Sequence, residues 1–240
     1  MLKSGMSASE KDEDGNLYQA TTDPNVVDPV VFYDKEGKLW MIYGSYSGGI
    51  FVKEMDAESG MPLESGDGEK LLGGNHLRIE APYVIYNEET GYYYMFLSFG
   101  GLDSDGGYNI RVCRSENPNG PYVDSMGQDM KDCKGPAGSA FSDATAEQYG
   151  TKLMGGYKFT WKEGEEGEDR KGYLSPGHNS CLYQEETVSL LQDVYHPHRE
   201  CIPKVQEETL ESLLIRNSSK CRLTDKLQMR VPKNKILQIC

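Results

Sequence analysis

The chain has 240 residues, 37% of them apolar and 26% charged, with a formal net charge of −13. That length suits one sizeable domain or two small ones, and the acidic balance argues against nucleic acid or an anionic membrane surface as partner. No stretch approaches the roughly 18 apolar residues of a membrane helix, and the polar start after Met1-Leu2-Lys3 has no apolar core of a secretory signal.

Residues 1–24 read as polar loop, with Lys11-Asp12-Glu13-Asp14-Gly15 an evident turn. From Asn25 the character changes. Val26 to Tyr33 is a strand signal, Asp34-Lys35-Glu36-Gly37 a turn and Lys38 to Tyr43 a second strand. Ile50 to Met55 makes a third. The 27 glycines and 16 tyrosines fit such a turn-rich, all-β chain.

A second unit follows. Arg78 to Tyr86 and Tyr92 to Phe99 are aromatic, β-branched runs flanking Asn87-Glu88-Glu89-Thr90-Gly91, a hairpin pattern. Asp28-Pro29-Val30-Val31-Phe32-Tyr33 matches Glu80-Ala81-Pro82-Tyr83-Val84-Ile85-Tyr86, and Ile50-Phe51-Val52 matches Ile110-Arg111-Val112. Aligned this way the units lie 52 residues apart. A sheet repeating near 50 residues is a β-propeller signature; a plain β-sandwich with similar hairpins is the rival. Repetition would bring Asp28 and Glu80 to the same mouth of a central axis. A third unit is expected from Tyr149 through Phe159, past an acidic loop (Glu163 to Asp169), and on to Ser175 through Thr187, whose Tyr183-Gln184-Glu185-Glu186-Thr187 echoes Tyr86 through Thr90.

After Thr187 the pattern stops. Every glycine lies at or before Gly177, and no aromatic follows Tyr195. Residues 188–240 hold nine Lys/Arg against six Asp/Glu, a net of +3 beside −16 for residues 1–187. So abrupt a change reads as a reading-frame break or an unrelated graft, with an irregular tail in which Gln206 to Ile215 could be a short helix. The six cysteines (113, 133, 181, 201, 221 and 240) lie far apart and lack zinc spacing, so free thiols are expected. His196 and His198 could pair on a metal, but a solvated tail is the plainer reading.

Two carboxylates near one axis fit glycoside hydrolysis, in which inverting enzymes use one as acid and one to activate water. Glu80, among Ile79, Ala81 and Pro82, suits the acid, and Asp28 could be the partner. Strand-initial acids are otherwise often merely solvated.

Several blocks resemble glycoside hydrolase family 43, and within it the endo-1,5-α-L-arabinanases. They are Asn25-Val26-Val27-Asp28-Pro29, Tyr43 to Phe51, Ile79-Glu80-Ala81-Pro82-Tyr83, Gly106 to Ile110 and Ser175 to Ser180. The likeness implies a five-bladed propeller acting on arabinan with inversion. It implies that Glu80 is the general acid, that Asp28 tunes and orients it, and that Asn25, Ser45, Tyr46 and Ser47 contact sugar. His178 would help hold a metal, usually calcium, through water. By the same likeness residues 25–187 would be about blades three and four and part of the fifth. The family's base is an aspartate of the first blade, well upstream of the position matching Asp28, and Asp12, Asp14 and Asp23 lie in a loop. The likeness therefore implies a catalytically incomplete chain. A non-catalytic carbohydrate-binding or interaction propeller, and another furanosidase or xylosidase of this fold, are the alternatives.

Overall fold

In the computed structural model of the protein the described residues are 15, 17–103, 105, 107–137, 143, 145–156, 174–184, 187–195 and 204–209. Among them regular structure is antiparallel strand, apart from one 3-10 turn, Met130–Asp132, and no helix is long and apolar enough to cross a membrane. Three sheets follow one another, each with its strands in chain order. The first holds β1 (Val30–Tyr33), β2 (Leu39–Ser45), β3 (Gly49–Met55) and β4 (Glu69–Leu72). The second holds β5 (Ile79–Asn87), β6 (Tyr92–Phe99), β7 (Asn109–Ser115) and β8 (Thr151–Met154). The third holds β9 (Leu174–Gln184), β10 (Thr187–Tyr195) and β11 (Lys204–Thr209).

The turn chemistry is local. Between β1 and β2, Oδ1 of Asp34 accepts the amides of Glu36 at 2.8 Å and Lys38 at 2.9 Å, and Gly37 takes a φ of 82°. An aspartate that bonds its own downstream backbone, followed by a glycine free to turn left-handed, closes the hairpin, and the amide of Lys35 in the turn donates to the buried Tyr93 hydroxyl at 2.9 Å.

The internal repeat is present, and its register can be given strand by strand. Val30 pairs with Ile42 in the first sheet as Tyr83 pairs with Phe96 in the second. Ile50 pairs with Leu72, and Ile110 with Met154, and in both sheets the register slips at the very next residue. By these pairs Val30 corresponds to Tyr83, an offset of 53 residues instead of 52. Asp28 therefore corresponds to Ala81, and Glu80 stands one residue earlier. A one-residue difference matters, because adjacent strand residues face opposite sides.

Burial explains the sequence of β6. Tyr93, Met95, Leu97 and Phe99 enter one core cluster with Ile42, Ile50 and Leu72 of the first sheet. Tyr94 and Phe96 enter another with Ile110, Val112 and Cys181 of β9. Alternate residues of one strand thus face two different partners, which is why it is apolar or aromatic almost throughout. The second sheet is covered on both faces.

Three expectations change. Thr151–Met154 is the last strand of the second sheet, not the opening of a third unit, since its partner is β7; Tyr157 to Phe159 and the acidic loop from Glu163 to Asp169 lie outside the described residues. The chain does not lose its pattern after Thr187: β10 pairs with β9 from Thr187↔Gln184 to Tyr195↔Leu174, with two register slips. Val188, Leu190 and Val194 supply strand-forming residues there without glycine or a run of aromatics. Nor is Gln206 to Thr209 helical. It lies in β11, whose backbone pairs with β10, and ladder pairing overrides local helix preference; residues 210–215, His196 and His198 lie outside the described residues.

Candidate active site

Glu80 sits at the start of β5, half-buried and opposite Ser98 of β6, just before a register slip that ends at Tyr83. Its carboxyl group is held from two other strands. The Tyr108 hydroxyl, immediately before β7, donates to Oε1 at 2.6 Å, and Oγ of Ser45, at the end of β2, donates to Oε2 at 3.4 Å. Both donors are buried, Tyr108 at 3% exposure and Ser45 at 5%.

Asp28 reaches the same place by a different route. Its Oδ2 accepts the backbone amide of Ala81 at 3.0 Å, one residue beyond Glu80. Asp28, Ala81 and Ser175 each precede a proline and each hold a positive φ, of 54°, 51° and 52°. Tyr46, Asn75, His76 and His178 share this conformation. For a non-glycine residue each such torsion costs about 1–2 kcal/mol. Strain of this kind persists only where the surroundings over-determine it, as at functional sites.

The other expected residues frame the acid. Asn25 accepts the amide of Val27 at 2.9 Å, and Val27 in turn accepts that of Gly44 at 3.0 Å, so residues 25–28 are pinned to the end of β2. The Tyr46 amide donates to the carbonyl of Ile79 at 2.8 Å, and its hydroxyl to that of Gly100 at 3.2 Å. Burial first, and the charge of Glu80 second, push the Tyr46 phenol up to about 12. The Ser47 carbonyl accepts the amide of His76 at 3.1 Å.

His178, on β9, is exposed, and its amide donates to Oγ of Ser98 at 2.8 Å. Ser98 is fully buried and works to lower the proton affinity of the Tyr108 phenol. Gly177 lies flat on the Tyr108 ring: a Cβ there would stand 1.9 Å from Cε1. Space, not torsion, demands this glycine. Calcium takes six to eight oxygen ligands. Among the described residues no three His, Cys, Asp or Glu side chains gather to hold a metal. His178 remains a candidate for the water-mediated contact only.

Tyr108, Ser98 and the Arg78–Asp143 pair were not singled out from the sequence. Arg78 donates from Nε at 2.9 Å and from its terminal amine at 2.5 Å to Oδ2 of Asp143, which raises its already high proton affinity. Tyr108 lies within the segment Gly106 to Ile110. Nothing in the spacing tied its hydroxyl to Glu80, 28 residues away.

Residues 12–152 match the family model described as glycosyl hydrolases family 43. The chain belongs to that family. As a family 43 member it is 58% identical over 187 residues to extracellular endo-alpha-(1->5)-L-arabinanase 2 of Bacillus subtilis, covering 78% of this chain and 39% of that protein. It is 49% identical over 191 residues, with the same coverage, to the extracellular endo-alpha-(1->5)-L-arabinanase of Thermotoga petrophila. Among solved structures it resembles the family 43 YxiA protein of Bacillus licheniformis, with a TM-score of 0.77 at 50% identity, over 87% of this chain and 46% of that one. The T. petrophila endo-1,5-alpha-L-arabinanase structure gives 0.76 at 43% identity, again over 87% and 46%. The chain thus spans about two-fifths of the length of these curated relatives.

Proposed function

We propose that this chain carries the acid side of an inverting arabinan-cleaving site, with α-1,5-linked arabinan as substrate and a place of work outside the cell. The observation that carries the reading is the convergence on Glu80: two donors hold its carboxyl oxygens while Asp28 is fixed on the adjacent amide. The extracellular arabinanases at 58% and 49% identity supply the substrate class. The three meanders correspond, in this reading, to about blades three and four and part of the fifth of a five-bladed propeller.

In the reaction the protonated Glu80 carboxyl gives its proton to the glycosidic oxygen as the bond from that oxygen to the anomeric carbon breaks. The bonding pair stays on the departing oxygen. Water adds to the anomeric carbon from the opposite face and loses its proton to a carboxylate base. The family likeness assigns that base to an aspartate of another segment. Asp28, with Oδ2 on the Ala81 amide, orients the acid and tunes it. Asn25, Tyr46 and Ser47, on the same rim, contact the sugar. His178 would help hold a calcium ion through water.

Digestion of linear arabinan by the full chain, alone and mixed with a polypeptide supplying the remaining family 43 segments of a relative, tests this. Arabino-oligosaccharides that vanish with Glu80→Gln support the reading, and release from xylan but not arabinan would replace the substrate class. Binding of arabino-oligosaccharide that is unchanged in Glu80→Gln and never followed by cleavage would put a sugar-binding module in its place.

A further inference from the structure

We infer that Tyr108 is a positioning residue for Glu80: its phenol clamps Oε1 of the carboxyl group and leaves Oε2 as the oxygen that delivers the proton. The inference rests on the reading of Glu80 as the acid, and it adds a residue and an orientation to that reading.

The two carboxyl oxygens are not equivalent. Oε1 accepts from the Tyr108 hydroxyl at 2.6 Å, whereas Oε2 has Ser45 Oγ at 3.4 Å, the outer limit of a hydrogen bond. A protonated carboxyl group has one carbonyl oxygen, which accepts, and one hydroxyl, which donates. With the phenol donating to Oε1, the proton belongs on Oε2. Burial first, and the bond to Glu80 second, push the Tyr108 phenol far above its ordinary range, so it remains a donor.

The clamp is itself held from a neighbouring sheet. The amide of His178 on β9 donates to Ser98 Oγ, and the Ser98 side chain acts on the Tyr108 phenol, working to lower its proton affinity. Gly177 presses on the ring from the same strand, leaving no room for even a methyl group. The ring therefore cannot swing away from Glu80 without moving β9. Contacts thus run from the third sheet through Ser98 and Tyr108 to the acid. When Glu80 gives up its proton, the bond from Tyr108 becomes charge-assisted and stronger. The clamp thus fixes direction and stabilises the carboxylate that the step produces.

The test follows the 13C carboxyl resonance of Glu80 in the full chain with pH, assigned by its loss in Glu80→Gln. Tyr108→Phe should raise the titration midpoint by about one pH unit, as expected for losing one hydrogen bond to a charged group. Replacing Tyr108 by 3-fluorotyrosine keeps the shape and strengthens the donor, so the midpoint should fall. Ser45→Ala should move it by less than a third as much as Tyr108→Phe. A midpoint that fails to fall with 3-fluorotyrosine, or that moves more with Ser45→Ala, overturns the clamp. Where Tyr108→Phe loses its strand signal in circular dichroism, the fluorinated chain decides alone. Cleavage that survives Glu80→Gln would sink the acid assignment and leave the clamp standing, so the two readings fail separately.

Discussion

The amide of Ala81 donates to Oδ2 of Asp28 at 3.0 Å, and both residues hold a left-handed torsion ahead of a proline. One bond thereby ties the residue leading into the first sheet to the residue beside Glu80 in the second. Asp28→Ala leaves a half-buried amide without its charged acceptor, and should lower unfolding free energy by about 1–3 kcal/mol. Asp28→Asn keeps an acceptor oxygen and should cost less. In a chain complemented for activity, both should slow arabinan cleavage by at least ~10²-fold, since the charge is lost in each. Urea titration and reducing-sugar release read the two effects; an Asp28→Asn chain of normal rate would remove Asp28 from the mechanism.

Gly177→Ala makes a sharper demand. Its Cβ would lie 1.9 Å from Cε1 of Tyr108, so the ring or the strand has to move. Overpacking of this kind costs typically about 1–3 kcal/mol. A smaller side chain at 108 makes the room, so the double variant Gly177→Ala/Tyr108→Leu should be more stable than the sum of its single variants predicts. Thermal unfolding of the four chains gives the coupling, and strict additivity would show that the two residues do not touch.

How much of this the sequence discloses depends on what carries the signal. The hairpins are legible because Asp34 and Gly37 state their own turn, and because β6 repeats tyrosine and apolar residues on both faces. The repeat is legible too, but not its offset of 53, since Asp28-Pro29 aligns with Glu80-Ala81 on charge and with Ala81-Pro82 on backbone torsion. Charge is printed in a sequence; torsion is not. For the same reason Glu80 and Asp28 could be named, while Tyr108 and Ser98 could not. A tyrosine among sixteen carries no mark of the carboxylate it will meet. Strands β10 and β11 are not legible because β10 pairs with β9 and β11 with β10, and composition does not record which neighbour a strand will pair with.

Asp34 gives an acid-side prediction. Partial burial works to raise its proton affinity, but bonds from the Trp40 indole and from the amides of Lys38 and Glu36 outweigh this and hold it below the ordinary carboxylate range. The folded chain thus binds the Asp34 proton less readily than the unfolded chain does. Stability from this group is present above the ordinary aspartate range, and is lost as pH falls through it toward the folded value. Asp34→Asn should therefore be less stable at pH 7 and lose less on acidification to pH 3. Urea midpoints at both pH values check this; parallel losses in the two chains would show that Asp34 contributes nothing to acid sensitivity.

Among the described residues three buried thiols contribute to the alkaline limb. Cys113, Cys133 and Cys181 are buried and free, and burial holds the last two up to about 12 and Cys113 well above its usual range. In the unfolded chain each ionises near 8.5. Between those values the folded chain keeps protons that the unfolded chain gives up, so stability falls as pH rises, by up to about 1.4 kcal/mol per pH unit for each thiol. Stability should hold level to about pH 8.5 and then decline toward pH 11. Cys133→Ala removes one of these contributors, so its decline between about pH 8.5 and 10, below the ordinary range of the tyrosines, should be shallower, whatever the cavity costs at neutral pH. Urea unfolding in steps from pH 7 to 10.5 measures both slopes, and an equal slope in the two chains would mean that the Cys133 thiol ionises as readily folded as unfolded.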